Sequence, residues 1–180
     1  ADVPFEKLQD PWGINGWPAT KGRDGCRTPM PWRHETNAGF TKAKEPWLPI
    51  DPRHRPLAAE VQDKLEQSTL HTARKLIALR HASPALMTGS FLVQGAGGQV
   101  FDRRQDPARA VAWLDAPVGP DIFAFTRSVE GETMLCVFNF GASQFTRDIG
   151  QGVPTVVWAN DTVLAGGKLI IEPFGSAILK

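Results

Sequence analysis

The segment from Gly22 to Trp32 has the sequence GRDGCRTPMPW. Gly22 and Gly25 permit backbone conformations that other residues rarely adopt. Pro29 and Pro31 fix their own φ angles and push the residue before each of them toward extended geometry. This composition predicts a stiff, charged loop that is too polar for a core and too constrained for a linker.

Stiff loops that carry charge are frequent sites of binding and catalysis, because a scaffold holds their side chains in place. The charged candidates in this loop are Arg23, Asp24 and Arg27. On a functional interpretation, the loop presents an arginine to a ligand. On a structural interpretation, the three side chains pair with one another and only stabilise the loop. Residue types alone leave both interpretations open.

Three segments resemble, in the same order and at similar spacing, the loop after the eighth barrel strand in the α-glucosidase branch of glycoside hydrolase family 13, the α-amylase family. They are GRDGCRTPMPW at 22–32, NAGFT at 37–41 and EPWLP at 45–49. The resemblance extends to the last barrel helix and to strands of the family's C-terminal β-domain, in KLIALR at 75–80, IFAFTR at 122–127 and VFNF at 137–140. It therefore covers nearly the whole chain.

The resemblance implies an α+β fragment with two parts. Residues 1–84 would form the long irregular loop after strand eight and the last helix of a (β/α)8 barrel. Residues 85–180 would form an antiparallel β-sandwich C-terminal domain. The residues themselves agree with the first part, because prolines and glycines recur at short intervals through residues 1–56 and predict irregular backbone with single helical turns.

One amphipathic helix is predicted from about Asp63 to His81, where apolar residues recur at spacings of three and four. Asp63 would cap its start, and Pro84 forbids its continuation. Its wide apolar face needs a partner, and the resemblance places that partner, the barrel, upstream of Ala1. The chain also opens without a methionine or a signal peptide. We therefore expect a fragment whose partner is the missing N-terminal barrel of the same protein.

After Leu86 the hydrophobic period changes to two, which predicts short strands of an antiparallel sandwich. The run Met134–Phe138 is apolar on both faces, as expected of a central strand covered on both sides. The candidate strands are Ser90–Val93, Ala110–Leu114, Ile122–Ser128, Thr133–Phe140, Ser143–Asp148, Thr155–Trp158, Lys168–Ile171 and Ser176–Leu179.

The resemblance implies the chemistry of a retaining glycosidase, in which one carboxylate is the nucleophile and a second is the general acid and base. A third aspartate of the family stabilises the transition state. In the family these residues lie on barrel strands four, five and seven, so we expect no catalytic residue in this chain. The carboxylates of the loop region are interpreted as structural or rim residues: Asp10, Asp24, Glu35 and Glu45.

The resemblance also implies a substrate-binding residue. Arg27 matches the family arginine that pairs with an upstream aspartate at the base of the glucose pocket. A planar guanidinium can hold a carboxylate and a sugar hydroxyl at once, which a lysine cannot do. Arg23 and Asp24 are further candidates in the same loop.

Aromatic side chains supply candidates for the outer lip of the sugar site. Trp12, Trp17 and Trp47 belong to this group, as does Phe5. Aromatic faces stack on sugar rings. The alternative, that these rings attach the loop to the barrel, is equally compatible with the sequence.

Composition excludes several other classes of function. The 20 basic and 19 acidic residues give a net charge of +1, so charge indicates neither nucleic acid nor an anionic membrane as a partner. The 2 cysteines form no disulfide framework, and the 4 histidines have no metal-ligand spacing. We expect free thiols in a reducing, cytoplasmic setting, α-glucosides as substrates, and no metal or cofactor.

Other functions remain open. A sucrose isomerase or a trehalose synthase of the same family would share this loop and differ in upstream residues. A non-enzymatic alternative is the heavy subunit of an amino-acid transporter, which resembles the family without being a glycosidase. Another is a carbohydrate-binding module formed by the β-domain alone. The intact RTPMPW run at 27–32 disfavours the transporter subunit.

Overall fold

The computed structural model describes residues 2–93, 119–149 and 154–180, which belong to two units, Ala1–Ile77 and Ala78–Lys180. The predicted domain boundary after residue 84 stays a prediction.

In the first unit, short helical turns interrupt irregular backbone, as predicted for residues 1–56. Helix α1 spans Pro11–Gly16, and Asp10 caps it by accepting a hydrogen bond from the Trp12 amide at 3.3 Å. Helix α2 spans Ala59–Gln62. The 3-10 helices are Phe5–Lys7, Asp24–Cys26, Thr36–Gly39 and Pro52–Leu57. A small apolar cluster of Val3, Leu8 and Leu48 is buried beneath this backbone.

Helix α3 spans Thr69–Ala82, so the predicted start at Asp63 is wrong. Asp63 instead ends α2, and its carboxylate pairs with Arg74. The N-terminal cap of α3 is Ser68, whose Oγ accepts a hydrogen bond from the His71 amide at 3.2 Å. The end agrees with the predicted stop before Pro84. No residue of α3 is buried by the part of the chain that the structure describes, and Ile77 is exposed, as expected for a helix whose partner lies elsewhere.

The described strands form a curled antiparallel sheet of six strands in the order β1-β2-β3-β6-β4, with β5 also paired to β6. The strands are β1 Ser90–Val93, β2 Ile122–Val129, β3 Glu132–Asn139, β4 Phe145–Asp148, β5 Val156–Ala165 and β6 Lys168–Leu179. The predicted strand at Ala110–Leu114 lies outside the described residues. Helix α4, Pro84–Thr88, precedes β1.

The expected sandwich of two sheets is replaced, in the described residues, by this single curled sheet. The reason is the length of β6, whose 12 residues pair with β3 through Ser176–Leu179 and with β4 through Lys168–Ile171. Its buried face covers one core of Ala124, Leu135, Val137, Leu169, Ile171, Ala177 and Leu179.

Two predicted strands, Lys168–Ile171 and Ser176–Leu179, are the two ends of β6. Gly175 lies between these two ends, at a bulge within the paired strands. A Cβ on Gly175 would come within 2.6 Å of the Asp161 carbonyl oxygen, so the two backbones approach more closely than another residue allows. The partner β5 correspondingly extends to Ala165 instead of ending at Trp158.

Strand β3 is the predicted central strand, because it pairs with β2 on one side and β6 on the other. Leu135 and Val137 point to the core, while Met134 and Cys136 are buried on the opposite face. That opposite face continues as a ladder of phenylalanine rings with neighbouring centroids 4.8 to 6.5 Å apart. The ladder consists of Phe91, Phe123, Phe125, Phe138 and Phe140.

Asn139 joins three segments at the end of β3. Its buried Nδ2 lies 2.8 Å from the Ser143 carbonyl oxygen, 3.3 Å from that of Ile171 and 3.0 Å from that of Glu172. Its Oδ1 accepts the Gly141 amide at 2.9 Å. Replacing it by alanine leaves these groups without partners in a buried site. We expect Asn139→Ala to lower the free energy of unfolding by about 1–3 kcal/mol, measured by urea denaturation.

The matched control is Asn160→Ala. Asn160 is exposed, and its side-chain Nδ2 donates a hydrogen bond to the neighbouring Asp161 carboxylate at 2.9 Å. We expect this change to alter the free energy of unfolding by less than about 0.5 kcal/mol. Equal effects of the two substitutions would contradict the role assigned to Asn139.

Candidate functional site

The arginine loop of residues 22–32 is held against the preceding segment by close backbone contact. Gly22 has a φ of +66°, and a Cβ there would lie 2.7 Å from the Gly13 nitrogen. This position therefore needs glycine for two reasons. Gly25, in contrast, lies within the 3-10 turn Asp24–Cys26 and does not use the left-handed backbone that glycine permits.

Arg23 is fixed by Asp10, a pairing that the sequence analysis did not predict. The Arg23 Nε donates to Asp10 Oδ2 at 2.9 Å, and Nη2 donates to Oδ1 at 3.2 Å. The Arg23 backbone amide also donates to Oδ2 at 2.9 Å. Asp10 itself is buried, while the guanidinium remains largely exposed. The result is a cation with one edge held and the other edge facing outward.

These contacts shift the ionisation of both groups. Hydrogen bonds from the Arg23 side chain hold the pKa of Asp10 well below its usual range. The hydrogen bond to Asp10 raises the pKa of Arg23 in turn. The pair is therefore ionised throughout the neutral range.

A pH dependence follows from the depressed pKa of Asp10. The stabilisation that the pair gives is fully present above the ordinary pKa of an aspartic acid, about 3.9, and is lost as pH falls through the folded-state pKa. We expect the stability difference between the wild-type protein and Asp10→Asn to be constant from about pH 5 to 8 and to shrink below about pH 4. Urea denaturation at each pH measures it. A difference that grows toward acid pH would contradict this assignment.

Asp24 is fully buried and supports the loop from inside. Its Oδ2 accepts the amides of Gln9 at 2.6 Å and Asp10 at 2.7 Å. Its carbonyl oxygen accepts the Arg27 amide at 3.0 Å. Its Oδ1 is buried and has no hydrogen-bond partner among the residues that the structure describes. Asp24 thus ties the segment before α1 to the backbone of Arg27.

Arg27 has a fixed backbone and an exposed side chain. No hydrogen bond or ion pair joins its guanidinium to residues 2–93, 119–149 or 154–180. The structural interpretation, in which Arg23, Asp24 and Arg27 pair with one another, does not describe this loop: Arg23 pairs with Asp10, and Asp24 with backbone amides. Arg27 is therefore available to a partner or ligand outside the described residues.

The three candidate tryptophans differ in their surroundings. Trp12 on α1 is 70% exposed and Trp47 is 56% exposed, so both present ring surface to solvent. Trp17 is 37% exposed and lies against Phe5 at a centroid distance of 5.5 Å. The Lys21 ammonium lies 5.5 Å from the Trp17 ring centroid. Trp17 therefore has packing contacts within the loop region that account for it without a sugar.

The two cysteines, Cys26 and Cys136, are free thiols. Burial raises the pKa of the Cys136 thiol to about 12, so this thiol stays protonated at neutral pH. The Cys26 Sγ is exposed and donates to the Arg23 carbonyl oxygen at 3.1 Å. In the described ranges, no group of three His, Cys, Asp or Glu side chains is arranged to hold a metal ion. In the same ranges, no helix combines the length and the apolar character needed to cross a bilayer.

Comparison with known proteins decides the family. Residues 2–89 match the family model described as the alpha amylase catalytic domain. The chain belongs to the α-amylase family. It is 36% identical over 149 residues to a probable alpha-glucosidase of Rhizobium meliloti (strain 1021), covering 83% of this chain and 23% of that protein. It is 32% identical over 179 residues to the probable oligo-1,6-glucosidase 2 of Bacillus subtilis (strain 168), covering 97% of this chain and 28% of that protein.

Two solved structures are similar to the chain over its whole length. The chain resembles the alpha-glucosyl transfer enzyme XgtA with a TM-score of 0.76 and 32% identity, over 100% of this chain and 30% of that one. It resembles the trehalulose synthase MutB from Pseudomonas mesoacidophila MX-45 with a TM-score of 0.73 and 26% identity, over 100% and 33% respectively. The chain thus spans about a quarter to a third of the length of these four relatives.

Proposed function

We propose that this chain is part of a retaining α-glucosidase that removes terminal α-linked glucose from maltose, sucrose or isomalto-oligosaccharides. Membership of the α-amylase family and the glucosidase names of the relatives support the proposal. The observation that carries it is the state of Arg27. Asp24 holds its backbone, and its exposed guanidinium has no partner in the ranges 2–93, 119–149 and 154–180. Because the backbone of Arg27 is already ordered, ligand binding does not have to order it.

In the proposed site, Arg27 binds the terminal glucose and pairs with an aspartate of the remainder of the protein. Arg23 adds a second, pre-aligned cation in the same loop, and buried Asp24 supports both. The exposed rings of Trp12 and Trp47 are suited to the outer lip. Trp17 is the weakest of the lip candidates, because Phe5 already covers part of its ring.

The remainder of the protein supplies the reacting groups on this proposal. Residues 1–84 would be the loop after the eighth strand and the last helix of the barrel, and residues 85–180 the C-terminal β-domain. The nucleophile, the general acid and the third aspartate would lie upstream, on the barrel that covers the exposed apolar residues of α3. The chain alone would then bind poorly and catalyse nothing.

A second candidate is transfer of the glucosyl group to another sugar in place of water. The likeness to an alpha-glucosyl transfer enzyme and to a trehalulose synthase favours it. The two candidates share the glucose pocket and differ in what accepts the glucosyl group. Residues that bind the acceptor would then decide whether the glucosyl group passes to water or to another sugar.

The proposal is tested by analysing the products that the full-length protein forms. With maltose, sucrose and isomaltose as substrates, proton NMR should first show α-glucose, because a retaining enzyme preserves the anomeric configuration. Early accumulation of isomeric disaccharides would favour the second candidate. Absence of turnover on all three sugars would overturn the proposal.

A further inference from the structure

A groove of about 600 Å³ opens on the first unit, and no site residue predicted from the sequence lines it. Its volume falls within the range typical of small-molecule sites. Trp32 and Phe40 expose 52% and 45% of their surface there. The residues that line the groove include Trp32, Arg33, Glu35, Phe40, Lys42 and Glu60.

Backbone hydrogen bonds hold the walls of the groove in place. The amides of Trp32 and Arg33 both donate to the Ala38 carbonyl oxygen, at 2.8 and 3.0 Å. The Glu60 amide donates to the Trp32 carbonyl oxygen at 3.0 Å, and Glu60 Oε1 accepts the His34 amide at 2.9 Å. Trp32 is thus bonded on both sides of its backbone, and one Glu60 oxygen is fixed, while no hydrogen bond joins the other to the residues that the structure describes.

The opposite wall rests on a left-handed turn. Asn37, Ala38 and Gly39 have φ values of 52°, 50° and 66°, and Ala38 is fully buried. Non-glycine residues rarely adopt this conformation, and it persists where the surrounding structure imposes it, often at ligand sites. The turn leads directly into Phe40, whose amide donates to the Asn37 carbonyl oxygen at 2.9 Å.

Arg33 is placed by the same turn. A Cβ on Gly39 would lie 3.0 Å from the Arg33 Cβ and Cγ, so the aliphatic part of Arg33 lies against Gly39. Its guanidinium is 3.9 Å from Glu35, a loose pair that leaves donors available.

The charges around the groove cancel. Arg33 and Lys42 are opposed by Glu35 and Glu60. A phosphate or another ion would meet both signs, whereas an uncharged ligand would find aromatic surface beside fixed donors and acceptors. A sugar has this pattern, with C–H faces for stacking and hydroxyl groups that both donate and accept.

We propose that this groove binds a neutral oligosaccharide, with a sugar ring stacked on Trp32 and Phe40 and its hydroxyl groups bonded to Arg33 and Glu60. The proposal rests on the proposed function only for the identity of the sugar, a glucosyl unit. It assigns Trp32 and Phe40 to substrate binding, in addition to the arginine loop.

The test is maltotetraose binding to the full-length protein, measured by titration calorimetry with saturating 1-deoxynojirimycin to occupy a glucose pocket and stop hydrolysis. Trp32→Ala and Phe40→Ala should each weaken binding by about tenfold, and Trp32→Phe should retain most of it. The matched control is Phe140→Ala, which changes an exposed phenylalanine directly after β3 and should alter the dissociation constant by less than about twofold.

Salt dependence provides a second measurement. A neutral ligand should bind with a dissociation constant that changes less than about twofold between 50 and 500 mM NaCl. Undiminished maltotetraose binding in both Trp32→Ala and Phe40→Ala would overturn the groove assignment, as would wild-type protein without saturable binding. A protein that binds maltotetraose through Trp32 but hydrolyses no α-glucoside would support the groove and contradict only the proposed function.

Discussion

Arg27→Ala in the full-length protein should lower kcat/KM on maltose and sucrose by roughly thirty-fold to a few thousand-fold. In the proposed site this arginine is one member of a charged pair that is buried when substrate binds. Removing one partner of such a pair costs about 2–5 kcal/mol, partly because the other charge is left unpaired. Since about 1.4 kcal/mol corresponds to a factor of ten, the range in rate follows.

Two further variants make this result specific. Arg27→Lys should recover little activity, because an ammonium cannot bridge two acceptors as a planar guanidinium does. Arg55→Ala is the matched control: Arg55 is an exposed arginine of the same unit, and its loss should change kcat/KM by less than about threefold. If Arg27→Ala kept nearly wild-type efficiency, the pocket assignment would be wrong and Arg23 would become the candidate cation.

Leu135→Ala should lower the free energy of unfolding by about 2–5 kcal/mol. Leu135 lies on β3 between β2 and β6, is fully buried, and belongs to the core beneath the curled sheet. Its truncation removes apolar contact and leaves a cavity that neighbouring strands close only in part. Urea denaturation followed by circular dichroism measures the change.

Leu57→Ala is the control for this prediction, because Leu57 is largely exposed. It should change the free energy of unfolding by less than about 0.5 kcal/mol. Comparable losses in the two variants would mean that β3 is not the central strand of the fold.

Local rules predicted the elements that depend on near neighbours. The prolines and glycines of residues 1–56 indicated irregular backbone, and Pro84 indicated the end of α3. The apolar run at Met134–Phe138 indicated a central strand, because both of its faces are covered. The start of α3 was missed because Asp63 and Ser68 are both good caps, and the pairing of Asp63 with Arg74 is tertiary.

Other features depend on contacts that have no sequence signal. Asp10 and Arg23 are 13 positions apart in irregular backbone, where no period relates them. Glycine is common in turns, yet Gly175 lies within β6, where the backbones of β5 and β6 approach each other closely. Trp32 and Phe40 belonged to the quoted motifs, and the left-handed turn at Asn37–Gly39 that makes them neighbours in one groove follows from no propensity. The sequence identified the arginine loop, and the structure shows that Asp10 holds Arg23, while the Arg27 guanidinium pairs with no residue in the described ranges.

We propose above all that this chain carries the sugar-binding loop of an α-glucosidase whose catalytic carboxylates lie outside residues 1–180. The most direct measurement is release of p-nitrophenol from p-nitrophenyl α-glucoside by the purified chain and by the full-length protein, side by side. We expect steady turnover by the full-length protein and only background release by the chain. Turnover by the chain that rises in proportion to its concentration and survives repeated purification would contradict it.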